Sequence, residues 1–410
     1  PETAMFSRLL TDLLGTPDPT RPFGYLKTVS IREADLAFED RKFGNTWRAP
    51  SSDIEFRRDR SGIKVAGVLD LVLDGQKSRV DGSVVFNAET EDLDIELRFS
   101  GFEPGLVTRN SEIDLVRKLS AFNMSLSGEI GVLMNIDGLV KSVRLDLSSR
   151  LGEASGSLTF HPDGYNYSAA FDVVGVPVSR LSEVMPEYAD LAAFQADAAG
   201  RITLDGAIDG RIGVIDFDLR VGEGVLDAPK TQEAPIKFTG GRLSGLIEAD
   251  LSRFQIREAS MALDRGAASV HVSGWRVGQD FDVRLDGVVT DLTVEALRSI
   301  WPTVLGKDAR DWTMENVAAG VIEDARVGMV AHIENGDLAQ IAVKSLNGSA
   351  RISGATVAYF KPLPPLTGVM VDMTFTEALL DIAARRGQLG DLIVRDGAVN
   401  ITGLDLEDQD

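Results

Sequence analysis

The chain has three histidines, His161, His271 and His332, and they lie far apart in sequence. A metal centre needs several convergent donors, and these three are not spaced to provide them. His271 stands between Val270 and Val272 in an alternating run, which puts it on the polar face of a strand. Gly306-Lys307 does not make a phosphate-binding loop, because Trp301 holds the place of the first glycine and Asp308 that of the hydroxyl residue. Gly-x-Ser-x-Gly does not occur, and neither Asp137-Gly138 nor the Asp216/Asp218 pair has calcium-loop spacing. The absence of cysteine excludes disulfides and thiolate chemistry. Acids are abundant but scattered through alternating runs, as on a solvated sheet face. The sequence therefore holds no catalytic constellation, and no enzyme activity, metal or cofactor is expected.

Two aromatic and proline-rich stretches stand out. Trp301-Pro302 with Trp312 reads as helix-cap packing onto a sheet, in preference to a gate at the sheet edge. Tyr359-Phe360-Lys361-Pro362-Leu363-Pro364-Pro365-Leu366 reads as a rigid crossover between strands, since alternation resumes at Val369; the competing reading is a polyproline ligand.

The elements around these stretches are strands. In 124–136, Met124, Leu126, Gly128, Ile130, Val132, Met134 and Ile136 share one face, and Ser125, Ser127, Glu129 and Asn135 share the other. Val143/Leu145/Leu147, Phe217/Leu219/Val221 and Val369/Val371/Met373/Phe375 follow the same rule. One apolar and one wet face per strand favours an antiparallel sheet, and a one-residue slip would reverse every face. Asp74-Gly75, Asp81-Gly82 and Asp137-Gly138 read as hairpin turns. A strand–helix–strand motif recurs. Its fullest copy runs from Phe281 to Ile333, with a helix capped by Asp291 and stopped by Pro302, then a linker through Trp312. An earlier copy places a helix at Val178–Pro186, and a looser first copy places one within 106–119. About twenty strands at roughly 4.8 Å each cannot persist as one flat open sheet. Gly82, Gly128, Gly156, Gly206, Gly274 and Gly287 fall on the apolar parity, where they are expected to mark bends and widen the enclosed space. The fold class expected is mainly β: an elongated, twisted, largely antiparallel sheet curled into a groove, with a few short helices at strand crossovers.

Composition sets limits on function. Of 410 residues, 44% are hydrophobic and 26% charged, a globular balance, yet only 7% are aromatic and 40 are glycine. The net charge of −21 disfavours nucleic acid and broad adhesion to an anionic bilayer. No run approaches the ~18 apolar residues of a membrane span. Residues 1–24 are expected to hold a remnant of expression cloning (Pro1–Met5), a short amphipathic stretch and a Pro-rich linker. Residues 25–404 read as one repetitive β-groove and 405–410 as an acidic tail.

Trp301-Pro302, then Ala309-Arg310-Asp311-Trp312, Asn316-Val317 and Gly320, resemble a segment of YhdP-type proteins of the AsmA-like superfamily. Ala358 to Val369 resembles the strand-crossover motif that follows it there. The likeness is specific over 285–375, about a quarter of the chain. It implies a segment of a bacterial envelope protein projecting into the periplasm from an inner-membrane anchor that this chain lacks. Relatives of that group include TamB and the chorein-type bridges, which resemble β-sheet gutters carrying acyl chains between membranes. The resemblance brings no catalytic residues with it.

The physics of the strands points the same way. At about 0.8 kcal/mol per buried CH₂, a two-chain lipid needs a continuous apolar lining to leave a membrane, and a lining without directional bonds lets it slide. The expected lining is Val84, Phe86, Leu97, Phe99, Ile130, Val132, Met134, Phe171, Leu204, Phe217, Leu219, Val283, Leu285, Val371 and Met373. The expected partner is a phospholipid or other two-chain lipid, with membranes met at ends missing from this segment, no nucleic acid, and end-to-end self-association at exposed sheet edges. The alternative is an envelope scaffold with a closed, packed β-sandwich core.

Overall fold

A computed structural model describes residues 20, 26–40, 45–59, 61–73, 75–105, 124–184, 186–337, 341–360 and 362–403. The expected amphipathic stretch in 1–24, the helix within 106–119 and the acidic tail lie outside these residues, save Thr20. The protein is 70% strand and 10% helix, which places it among mainly β folds. Among the described residues 22 strands form one antiparallel sheet that does not close into a barrel.

The chain divides into two compact units, residues 1–176 with 201–213, and residues 177–200 with 214–410. In the first, β1 (Thr28–Asp40), β2 (Asn45–Arg58), β3 (Gly62–Leu73), β4 (Gln76–Asn87), β5 (Asp92–Phe102), β6 (Leu126–Asn135), β7 (Val140–Ser149), β8 (Gly152–Phe160) and β9 (Asn166–Pro177) follow as a meander, each paired to the next. Helix α1 (Val178–Val184) and a 3₁₀ turn (Pro186–Ala193), both in the second unit, precede β10 (Phe194–Ala207).

In the second unit, β11 (Ile212–Leu226) pairs with the short β12 (Ile236–Phe238) at its end and with β13 (Gly240–Glu248) along its length. The meander continues through β14 (Arg253–Ala262), β15 (Ala267–Val277) and β16 (Asp280–Thr293). Helices α2 (Val294–Ile300) and α3 (Lys307–Asn316) interrupt it, and β17 (Val317–Ala318) lies beside the later β19. Then β18 (Val321–Ile333), β19 (Ile341–Val357), β20 (Leu366–Thr376), β21 (Leu379–Leu389) and β22 (Leu392–Thr402) resume the hairpin order.

Local chemistry explains several departures from the sequence reading. Thr293, not Asp291, caps α2, its hydroxyl accepting from the Ala296 N–H at 3.3 Å. Asp291 instead adopts φ 53° within β16, a left-handed residue that Asp tolerates better than most. Before it the apolar face is carried by Val283, Leu285, Gly287 and Val289; after it Leu292 turns inward and is fully buried. The expected linker through Trp312 is helix α3. Asp81-Gly82 is mid-strand, with Gly82 opposite Gly67 and Leu97, whereas Gly75 and Gly138 do sit in turns with positive φ. The stretch Ala358–Pro365 joins β19 to its own antiparallel neighbour β20, so it is a hairpin connection and not a crossover.

Candidate functional site

The pairing register turns alternation along strands into rows across them. In the first unit one row reads Val29, Phe56, Val65, Val84, Ile95, Val132, Val143, Leu158, Ala169 across nine strands. The next reads Ile31, Ile54, Gly67, Gly82, Leu97, Ile130, Leu145, Gly156, Phe171. Two flanking rows carry Phe86 with Met134 and Phe99 with Gly128. Leu204 shares the parity of Gly206, which lies beneath the Tyr167 ring on this face. Nine strands spaced about 4.8 Å apart make an apolar strip roughly 40 Å across.

The second unit has its own rows. Leu219, Leu243, Ala259, Val270, Gly287, Val327, Gly348, Phe375, Leu380 and Ile401 align across ten strands. Beside them run Phe217, Gly245, Ile256, Val272, Leu285, Met329 and Leu346, and a further row holds Val283. Val371 pairs with Ile352, and Met373 with Ala350. All fifteen residues expected to line the groove thus fall on the apolar face of one unit or the other.

Burial on these faces comes mostly from lateral neighbours. Ile63 and Phe86 form a buried cluster with Phe56, Val65 and Leu93, all from adjoining strands of the same sheet. Of the fifteen lining residues only Phe86, Phe217 and Val283 are buried, and Leu97 is 37% exposed. Among the described residues the largest fully buried side chains are Leu292, Val369 and Ser52. A sandwich core of this length would bury far more, because an opposing layer seals the inner face of each sheet. The exception is local: Leu292 and Ile322 pack against α2 through Val294, Ala296, Leu297 and Ile300.

The glycines do not widen this face as expected. An added Cβ at Gly274 would meet the Phe254 ring at 2.3 Å, at Gly156 the Phe171 ring at 2.7 Å, and at Gly206 the Tyr167 hydroxyl at 2.5 Å. Leu97 covers Gly82 and Val327 covers Gly287 in the same way. Each of these five glycines is a seat for a side chain from the adjoining strand, which keeps the lining level, whereas at Gly128 an added Cβ would meet the Asp146 backbone carbonyl at 2.0 Å, a close approach of the neighbouring strand.

The opposite face is a lattice of cross-strand ion pairs. Arg98 meets Glu129 at 2.5 Å and Lys141 meets Asp92 at 2.6 Å in the first unit. Arg242 with Asp218, Arg257 with Asp216, and Arg351 and Arg385 with Asp372 repeat the device in the second. Hydrogen bonds from these guanidinium groups hold the carboxyls of Asp216, Asp218 and Asp372 below the usual carboxylate range. Lys344, then His332, does the same for Asp282. Every carboxyl shift resolved among the described residues is downward, the reverse of what a neutral proton donor needs. A shallow depression of about 270 Å³ lies over this lattice, where Glu129 and Glu96 already face Arg98 and Arg144. His161 donates or accepts at Ser168, His271 contacts the Arg257 carbonyl, and His332 sits between Asp280 and Asp282. Among the described residues no group of His, Asp and Glu is arranged to hold a metal. No helix among them is long and apolar enough to cross a membrane.

Sequence reasoning missed the lock on the two helices. Arg310 is 6% exposed, and its guanidinium donates to the carbonyls of Trp301 and Arg298 and to Glu233 at 2.5 Å. Arg298 reaches the other oxygen of Glu233 at 2.9 Å and the Met314 carbonyl at 3.2 Å. The Trp301 indole N–H donates to the Leu305 carbonyl, which ties the residue to the connection between the two helices, while Trp312, expected to pack onto a sheet, is exposed. Nothing local marks Glu233 as the partner of an arginine so far along the chain. Comparison with protein-family models, curated proteins and solved structures gives no match.

Proposed function

We propose that the apolar faces of the two units are linings for lipid acyl chains, and that the chain is a periplasmic segment of a bridge-like carrier moving phospholipid between the inner and outer membranes. The resemblance of 285–375 to YhdP-type proteins supplies the cellular setting. The observation that carries the reading is the run of registered Val, Ile, Leu, Met and Phe rows left mostly half-buried, only Phe86, Phe217 and Val283 of the fifteen expected lining residues being buried. A hydrocarbon chain completes such a face by burying methylenes, at about 0.8 kcal/mol each, without breaking any directional bond. The downward carboxyl shifts on the other face support a role without acid–base chemistry.

The test is native mass spectrometry of the purified chain, with Val132→Asp in the first unit and Leu285→Asp in the second. Wild type is expected to carry phospholipid; each variant stays folded by circular dichroism and carries less. If the protein is lipid-free, the reading fails. If either variant unfolds outright, that position belongs to a sealed core, where an unpaired charge is costly, and the scaffold alternative gains.

A further inference from the structure

A notch of about 220 Å³ lies in the second unit where α2 passes β12 and the turn joining β14 to β15. Its floor is apolar: Leu263, Ala296 and Ile300 line it and also pack against the cluster of Leu292, Val294 and Ile322 under α2. Its rim is cationic. Lys237 and Arg265 both line it and both are exposed, with a single acid, Asp264, beside them. In the same unit Arg242, Arg257, Arg298, Arg310 and Arg351 each meet a carboxylate. Lys237 and Arg265 make no ion pair or side-chain hydrogen bond among the described residues, and the nearby Glu233 is already held by Arg298 and Arg310. In a chain of net charge −21, two uncommitted cations over an apolar floor are placed for an anion that is itself attached to hydrocarbon.

We infer that this notch seats the phosphate of a phosphate-headed amphiphile, with its first methylenes lying on Leu263, Ala296 and Ile300. The inference rests on the lipid-carrying reading and adds a headgroup preference to it. Size agrees: whole small-molecule pockets run from about 300 Å³ upward, so this notch takes a headgroup and the start of a chain, and the rest lies outside it. The Ser299 hydroxyl on the same wall can donate a further hydrogen bond to a phosphate oxygen.

The experiment titrates the full chain calorimetrically with dihexanoylphosphatidic acid, dihexanoylglycerol and inorganic phosphate, each below any micelle-forming concentration. It compares wild type with Lys237→Glu/Arg265→Glu and with Lys64→Glu/Arg386→Glu, which makes the same charge change at other exposed cations. Phosphatidic acid is expected to bind wild type and the Lys64/Arg386 variant about tenfold more tightly than dihexanoylglycerol. The Lys237/Arg265 variant loses that preference and keeps its affinity for the neutral lipid. Equal affinity for both lipids in wild type overturns the headgroup site and leaves lipid carriage standing. Loss of the preference in both variants assigns it to net charge and also overturns the site. Inorganic phosphate binding as tightly as phosphatidic acid overturns the amphiphile. No binding of either lipid overturns the carrier reading itself.

Discussion

Asp209 lies at the turn between β10 and β11, where the Tyr165 hydroxyl donates to its carboxylate at 2.6 Å and the Arg211 guanidinium at 2.7 Å. The Tyr165 bond first, then Arg211, lowers its pKa to about 2. A carboxyl held below its unfolded value stabilises the fold above that unfolded value and loses the contribution as pH falls through the folded one. Asp209→Asn is therefore expected to melt at a lower temperature than wild type at pH 7. The gap closes between about pH 4 and about pH 2, measured by circular dichroism melts across that range. Side-chain alternation was legible residue by residue from the sequence, because a half-buried strand has a strict period of two. What each glycine does was not, because Gly274 and Phe254 meet only through the register of β14 with β15. The turn at Asp137-Gly138 could be read from its dipeptide, whereas the same signal at Asp81-Gly82 was overridden by pairing on both sides.

Among the elements, α2 and α3 depend on one side chain. The amphipathic spacing of Leu292, Ala296 and Leu297 announced α2, and Pro302 its end, but neither shows what fixes the helix pair to the segment before β12. That task falls to Arg310, whose donors serve Trp301, Arg298 and Glu233 together. Arg310→Ala is expected to cost about 3 kcal/mol, since it removes a buried guanidinium that bridges two carbonyls and a carboxylate and empties a filled site. Amide exchange read by mass spectrometry should rise through 294–316, while β3–β8 of the first unit keep their protection. Unchanged exchange in 294–316 would mean that apolar packing under α2 suffices without the guanidinium. The change of parity at Asp291 was equally hidden, because a left-handed residue within a strand leaves no mark in the hydrophobic pattern beyond a step that resembles the start of a helix.

For the molecule as a whole, the sequence carried the balance of the two sheet faces better than any single site. Its −21 charge and its alternation foretold a wet face and an apolar face, and the ion-pair lattice and the registered rows are their structural forms. The division into two units was not visible, since 177–213 reads as one more copy of the strand–helix–strand motif. The cationic notch at Lys237 and Arg265 was also out of reach, being assembled from β12, one turn and a helix that are distant in sequence. Rows whose shielding is mainly sideways also have a calorimetric signature. Unfolding uncovers less new hydrocarbon per residue than in a protein whose sheets are sealed on their inner faces, so the heat capacity gained on melting should be small. Scanning calorimetry of lipid-stripped protein is expected to give a value below the ~12–15 cal/mol/K per residue of ordinary globular chains. A value within that range would mean that the rows are sealed after all. Reloading with phospholipid should raise the increment, because unfolding then also uncovers the protein hydrocarbon that the lipid had covered.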